Sequence, residues 1–179
     1  VFSSNPPYID VDNPVGTYRR TFTVPRNWQE REVFLHFGSI SGYARIYVNG
    51  QQVGMTKASK TPAEFNVTNY LKEGENLLAV QIYRWHDGSY MEDQDFWRLT
   101  GIERDVFLQA YPKLTIWDFF LKSSLDSTYK NGIFNATVDL REFTGNNVKK
   151  GTLKLELLDK TGKIVLSQQK KFDIEDEFT

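Results

Sequence analysis

The sequence predicts an all-β protein built from β-sandwiches, and three features point there. Short runs alternate apolar and polar residues with the two-residue period of a strand. Turn-forming residues separate these runs roughly every ten residues, the spacing of sandwich folds. Aromatic residues reach 15% of the chain, with 13 Phe, 9 Tyr and 4 Trp, and such side chains suit a pleated, half-buried surface.

The elements follow in order. Ser3 to Asn13 is rich in Pro and Asn and reads as extended loop. Thr17 to Val24 alternates, with Tyr18, Arg20, Phe22 and Val24 on one face. Glu32 to Phe37 is a second strand, with Val33, Leu35 and Phe37 on one side. Gly38-Ser39-Ile40-Ser41-Gly42 reads as a turn; Ile40 at its centre excludes the G-x-S-x-G nucleophile elbow. Tyr43 to Val48, Asn49-Gly50 and Gln51 to Gly54 form a tight hairpin, because Asn-Gly supplies the positive φ angles of a type I′ turn. Glu64 to Val67 is a short strand, Thr68 to Leu71 a brief helical turn closed by Gly74, and Asn76 to Arg84 a strongly apolar strand. Asp105 to Ala110 is the next.

Pro112 marks a boundary. Beyond it run four simpler strands, Leu114 to Leu121, Ile133 to Leu140, Gly151 to Leu158 and Lys163 to Phe172. Asp159-Lys160-Thr161-Gly162 is a hairpin turn between the last two. This second region, residues 112–179, is short of the roughly 100 residues of a full immunoglobulin-like domain. It is expected to be a partial or small sandwich behind a first domain at 1–111. The chain opens at Val1-Phe2-Ser3 without a methionine and reads as a segment of a longer polypeptide.

Composition narrows the function. Formal net charge is -1, from 22 basic and 23 acidic residues, so no basic field for nucleic acid is present. No apolar run approaches the ~20 residues that span a bilayer as a helix, and no polybasic arm suggests a membrane partner. The compartment stays open between cytoplasm and periplasm. The chain has no Cys, which removes disulfides, thiolate metal sites and Cys nucleophiles. His36 and His86, the only histidines, lack zinc-ligand spacing and read as structural side chains. Asn66-Val67-Thr68 and Asn135-Ala136-Thr137 match the glycosylation triplet, but both fall at or within strands and are discounted.

The segment from Arg84 to Val106, Arg84-Trp85-His86-Asp87-Gly88-Ser89-Tyr90-Met91-Glu92-Asp93-Gln94-Asp95-Phe96-Trp97-Arg98-Leu99-Thr100-Gly101-Ile102-Glu103-Arg104-Asp105-Val106, closely resembles a signature of family 2 glycoside hydrolases. Asn5-Pro6-Pro7, Asn13 to Tyr18, Val48 to Gly54, Pro62 to Val67 and Gly74 to Val80 fit the same template in order. The resemblance covers Asn5 to about Ala110 strongly and the remainder weakly. It implies a galactose-binding-like jelly-roll sandwich followed by an immunoglobulin-like one. Within the family, the run from Gly88 to Gly101, with Glu92-Asp93-Gln94-Asp95 and Trp97-Arg98, resembles the β-galactosidase branch.

That resemblance carries a chemistry. Family 2 enzymes are retaining hydrolases, whose acid and nucleophile carboxylates stand about 5–5.5 Å apart. In the family both lie on a barrel beyond this region, so this chain is expected to hold no catalytic residue and to hydrolyse nothing alone. Asp95 is the substrate-binding candidate: at this place in the β-galactosidase branch, an Asp reaches the barrel's active site and helps bind sodium and the sugar's 6-hydroxyl. A carboxylate suits both tasks, as a hard oxygen ligand and as a hydrogen-bond acceptor. The plain alternative is a solvated acid in an acidic loop. Sodium, with magnesium as a second ion, is expected for the full-length enzyme and no ordered metal for this chain by itself. Trp85, Asp87, Glu92, Trp97 and Arg98 are expected to support the loop, the two Trp by anchoring it to the sheet. Arg84, Arg98 and Arg104 are expected to pair with Asp87, Asp93 or Asp105. The implied partner is a β-galactoside, and the full-length protein is expected to be a homo-oligomer. Two rival readings stand beside this one: a free carbohydrate-binding module, and the same region of a β-glucuronidase or β-mannosidase.

Overall fold

The computed structural model describes residues 3–92, 95, 97–143, 145 and 150–173. The fold is all-β: every sheet is antiparallel, and the described helical pieces are three short 3-10 turns. The chain divides into two compact units, Val1–Pro112 and Lys113–Thr179.

In the first unit, nine strands form three sheets. β1 (Val15–Thr23), β7 (Glu75–Tyr83), β4 (Tyr43–Val48) and β5 (Gln51–Thr56) lie side by side in that order. A second sheet runs β6 (Ala63–Asn66), β2 (Glu32–Phe37), β9 (Val106–Tyr111). β3 (Ile40–Ser41) and β8 (Gly101–Ile102) make a two-stranded ladder. Alternation explains the core. Ala44, Ile46 and Val48 of β4 and Val80 and Ile82 of β7 point inward from one sheet. Val33, Leu35 and Phe37 of β2 point inward from the other, and all are buried. Two apolar inner faces closing on each other make a β-sandwich.

The β4–β5 hairpin turns as its sequence requires, with φ of 51° at Asn49 and 83° at Gly50. The Asn49 side chain also reaches across the unit. Its amide nitrogen donates to the Tyr70 carbonyl (2.8 Å) and to Asn76 Oδ1 (2.8 Å), and its Oδ1 accepts from the Leu77 amide (3.0 Å). Asn76 is 1% exposed. It is satisfied all round, accepting from the Lys72 amide (2.9 Å) and donating to the Lys72 and Gly74 carbonyls. A buried amide is tolerated only when so completely bonded.

The second unit is two hairpins. β10 (Leu114–Leu125) pairs with β11 (Gly132–Glu142), and β12 (Lys150–Leu158) pairs with β13 (Ile164–Asp173). Each turn is held by an aspartate. Asp126 Oδ1 accepts from the Thr128 amide and hydroxyl and from the Lys130 amide, while Oδ2 accepts from Asn131. Asp159 Oδ1 accepts from the Thr161 amide and hydroxyl and from the Lys163 amide. The Asp159 turn is legible in the sequence; the Asp126 turn repeats its Asp-x-Thr chemistry.

Two elements correct the sequence reading. The segment read as a turn at residues 38–42 contains β3, and β8 pairs with it across Ile40–Ile102 and Ser41–Gly101. Two-residue ladders leave no periodicity to detect.

Candidate functional site

The candidate site is the long connection from β7 to β8 that carries Asp95, and it is fixed at both ends. At its start the Arg84 amide donates to the Pro14 carbonyl (3.1 Å). Asn13 then grips Trp85 twice: its Oδ1 accepts from the Trp85 amide (2.8 Å) and its Nδ2 donates to the Trp85 carbonyl (2.9 Å). A side-chain amide clasping both polar groups of one backbone residue mimics a strand partner.

His86 follows as the N-cap of a 3-10 turn over Asp87–Tyr90. Its Nδ1 accepts from the Gly88 amide (3.1 Å), and the Ser89 hydroxyl returns the favour by accepting from the His86 amide (3.1 Å). This is a capping box with an imidazole in the place of the usual hydroxyl or carboxylate. The residue is 9% exposed. Tyr90 then bolts the turn to the N-terminal segment, its one hydroxyl proton within reach of both the Ser4 and the Tyr8 carbonyls.

Asp87 ion-pairs with Lys57 (2.7 Å), not with an arginine, which corrects the expected pairing. The Lys57 ammonium holds the Asp87 carboxyl below the ordinary range. Both partners are about half exposed, so the pair adds little stability. Arg84 instead lies over the Trp85 ring at 4.8 Å, a cation–π contact. Glu92 closes this first half: its Oε1 accepts from the Ser59 amide (3.0 Å).

The second anchor is β8. Gly101 has a φ of 139°, and a Cβ there would sit 2.7 Å from the Tyr18 hydroxyl, so only glycine fits without strain. Glu103 then bridges to Lys60 (2.6 Å) and accepts from the Ser39 hydroxyl (3.1 Å). Lys60, with Ser39 behind it, holds the Glu103 carboxyl below its usual range.

Between the anchors, Asp95 is exposed, open to a ligand or a partner surface. Arg98, Leu99 and Thr100 are exposed as well. Trp97, expected to pin the loop to the sheet, is 84% exposed, which does not fit a ring packed down on the sheet. Asp93 lies outside the described residues. Beneath the loop is a polar cavity of about 130 Å³, whose lining includes Lys60, Arg84, His86, Glu92, Trp97 and Arg98. Of the expected supports, Trp85 and Glu92 are tied by backbone-directed hydrogen bonds and Asp87 by its ion pair. Asn13, Ser59, Tyr90 and Lys57 complete the brace and escape sequence reading, since three of the four come from distant segments. Among the described residues, no group of three or more His, Cys, Asp or Glu converges to hold a metal ion.

Comparison with known proteins bears on what this loop serves. Residues 2–112 match the family model described as "Glycosyl hydrolases family 2, sugar binding domain". A β-galactosidase of Priestia megaterium is 41% identical over 162 residues, which is 90% of this chain and 16% of that protein. A β-galactosidase of Clostridium acetobutylicum is 40% identical over 176 residues, 97% of this chain and 19% of its own length. The chain thus spans under a fifth of these relatives. Among solved structures, a β-glucuronidase of Bacteroides uniformis matches with a TM-score of 0.74 at 24% identity, over 93% of this chain and 20% of that one, a likeness of fold. A β-glucuronidase from an uncultured Clostridium species matches with a TM-score of 0.70 at 29% identity, over 89% of this chain and 30% of that one.

Proposed function

The chain belongs to glycoside hydrolase family 2, and from that premise we propose that it is the non-catalytic N-terminal part of a β-galactosidase that hydrolyses terminal β-D-galactosides with retention. One observation carries the reading: 41% identity over 90% of the chain with a protein named β-galactosidase. The identity with the β-glucuronidase from the uncultured Clostridium species is lower, at 29%. On this reading the first unit is the family's jelly-roll sugar-binding domain, residues 1–111, and residues 112–179 begin an immunoglobulin-like sandwich. The reacting carboxylates belong to the rest of the enzyme.

This chain's own contribution is positioning. Asp95, exposed on a loop anchored at both ends, forms part of the galactose pocket's wall and accepts a hydrogen bond from a sugar hydroxyl. Holding the sugar in one orientation lowers the entropic part of the barrier. The exposed carboxylate fits a sodium ion as one hard oxygen ligand among several; the remaining ligands would come from outside this chain. Magnesium has no candidate ligand set among the described residues. The full-length enzyme is proposed to be a homo-oligomer on family resemblance.

The test is an aryl-glycoside panel (galactoside, glucuronide, mannoside, fucoside) on the full-length protein, with and without sodium. Preferred cleavage of the galactoside is expected. Asp95→Asn should then cost about 100-fold in kcat/KM, as when a charge-assisted contact to substrate is lost. Preference for the glucuronide or mannoside would overturn the substrate and the role of Asp95 together.

A further inference from the structure

The first sandwich is closed along one side and open along the other. On the closed side β5 lies against β6, so tightly that a Cβ added at Gly54 would collide with the Phe65 ring. On the open side stand β1 and β9, each the end strand of its sheet. A cleft of about 660 Å³ lies there between the sheets. Buried Phe37 and Val80 form its floor. Phe22 and Leu78 line it from one sheet and Val106 and Leu108 from the other, all four only partly buried.

β1 shows the gap most clearly. Across from its Tyr18 is Val80 of β7, and across from Arg20 is Leu78. Directly opposed residues of an antiparallel pair share a face, and Val80 belongs to the core. Tyr18 and Arg20 therefore face inward, yet Tyr18 is 44% exposed and Arg20 is exposed as well. In a completed sandwich the inward residues of each strand are covered by the facing sheet. The edge of β1 away from β7 also presents backbone groups that no described strand pairs. Charge marks the same place. The described lining of the cleft includes two arginines, Arg19 and Arg20, and no acid. Among the described residues no carboxylate pairs with Arg20.

We propose that β1 receives a further β-strand, supplied by the full-length polypeptide outside residues 1–179. Its alternate apolar side chains fill the cleft, and a carboxylate on it meets Arg20. The chain spans under a fifth of its β-galactosidase relatives, so a polypeptide of that length has ample sequence to provide the strand. The backbone edge supplies affinity and the cleft selects every second side chain. The guanidinium–carboxylate pair fixes the register. This inference needs a longer polypeptide but not the substrate proposed above.

Two measurements on the full-length protein test it. With Tyr18 replaced by the photo-reactive p-benzoylphenylalanine, illumination is expected to cross-link one segment of the same polypeptide, outside residues 1–179, with apolar residues at alternate positions and an Asp or Glu among them. A cross-link to a second subunit, to residues 1–179 themselves or to nothing overturns the proposal. In wild type, the β1 amides that point away from β7 should exchange on the order of 100-fold more slowly in the full-length protein than in the 179-residue chain, with β7 protected in both. Equal exchange overturns the added strand without any variant. Arg20→Glu should restore fast exchange of β1 in the full-length protein, Arg20→Lys much less so, and neither should change β1 exchange in the 179-residue chain. A full-length wild type that cleaves no galactoside refutes the proposed function, and the cross-link and the exchange of β1 still decide the strand.

Discussion

The two units are made of the same kind of strand and held by different means. In the first, residues far apart in sequence meet in a core where Phe37, Ala44, Ile46, Val48 and Val67 are 0% exposed. In the second, no described residue is buried. Phe119 is 62% exposed, Phe120 67% and Val165 58%. Its order comes from within each hairpin, from a ladder and an aspartate-bound turn. An isolated two-stranded hairpin is marginal in water, so register there is locally written but weakly enforced. The first unit shows the reverse: its sheets depend on long-range burial, and they give Trp85 and the turn at Asp87–Tyr90 fixed partners in distant segments.

The sharpest way to break this contrast is to make one substitution in both places. Phe37→Ala removes a fully buried ring and should cost about 4 kcal/mol, read as a lower urea midpoint for the amide signals of β4. Phe119→Ala removes an exposed ring and should move the β10 signals by less than about 0.5 kcal/mol. Equal effects would mean that the second unit has a core the hairpins do not reveal.

Next in size is Asn76→Leu. The leucine matches the apolar surroundings of the Asn76 side chain but takes a partner from the Lys72 amide, the Lys72 and Gly74 carbonyls and the Asn49 amide group. At roughly 1 kcal/mol or more for each group stranded, the loss should be about 3 kcal/mol in the first unit by the same urea measurement. A near-neutral result would mean water reaches these groups and the network is less closed than its geometry.

Much of the fold was legible because its signals are local. Alternation marks the longer strands, and Asn49-Gly50 marks the β4–β5 hairpin with its turn type. What escaped is what local pattern cannot encode. β3 and β8 are too short for periodicity, and the grip of Asn13 on Trp85 joins residues from opposite ends of the first unit. Asp95 stood out only by resemblance to a family, since one carboxylate among neighbouring acids has no signature of its own. The Trp97 anchor failed because ring size suggests burial, whereas the backbone path decides it. His86 reads as structural from the sequence, but its role as a cap does not, because histidine is not a favoured N-cap residue.

The smallest effect is the most specific to the second unit. Hydrogen bonds from Asn131 and Thr128, with backbone amides behind them, hold the Asp126 carboxyl at about 2, down from 3.8. A carboxyl whose pKa is depressed on folding favours the folded turn above the unfolded value and ceases to do so as pH falls through the folded one. The β10–β11 turn should therefore be fully supported at neutral pH, weaken below about pH 4, and lose this support near pH 2. Because Asp126 works within its own hairpin, the loss should appear as faster exchange of the Thr128 and Lys130 amides while the core amides of β4 and β7 stay protected. Asp126→Ala should bring the same fast exchange at neutral pH and remove its acid dependence. If the β4 and β7 amides loosened in step with the turn, the hairpin and the core would be one cooperative structure, and the contrast between the two units would fail.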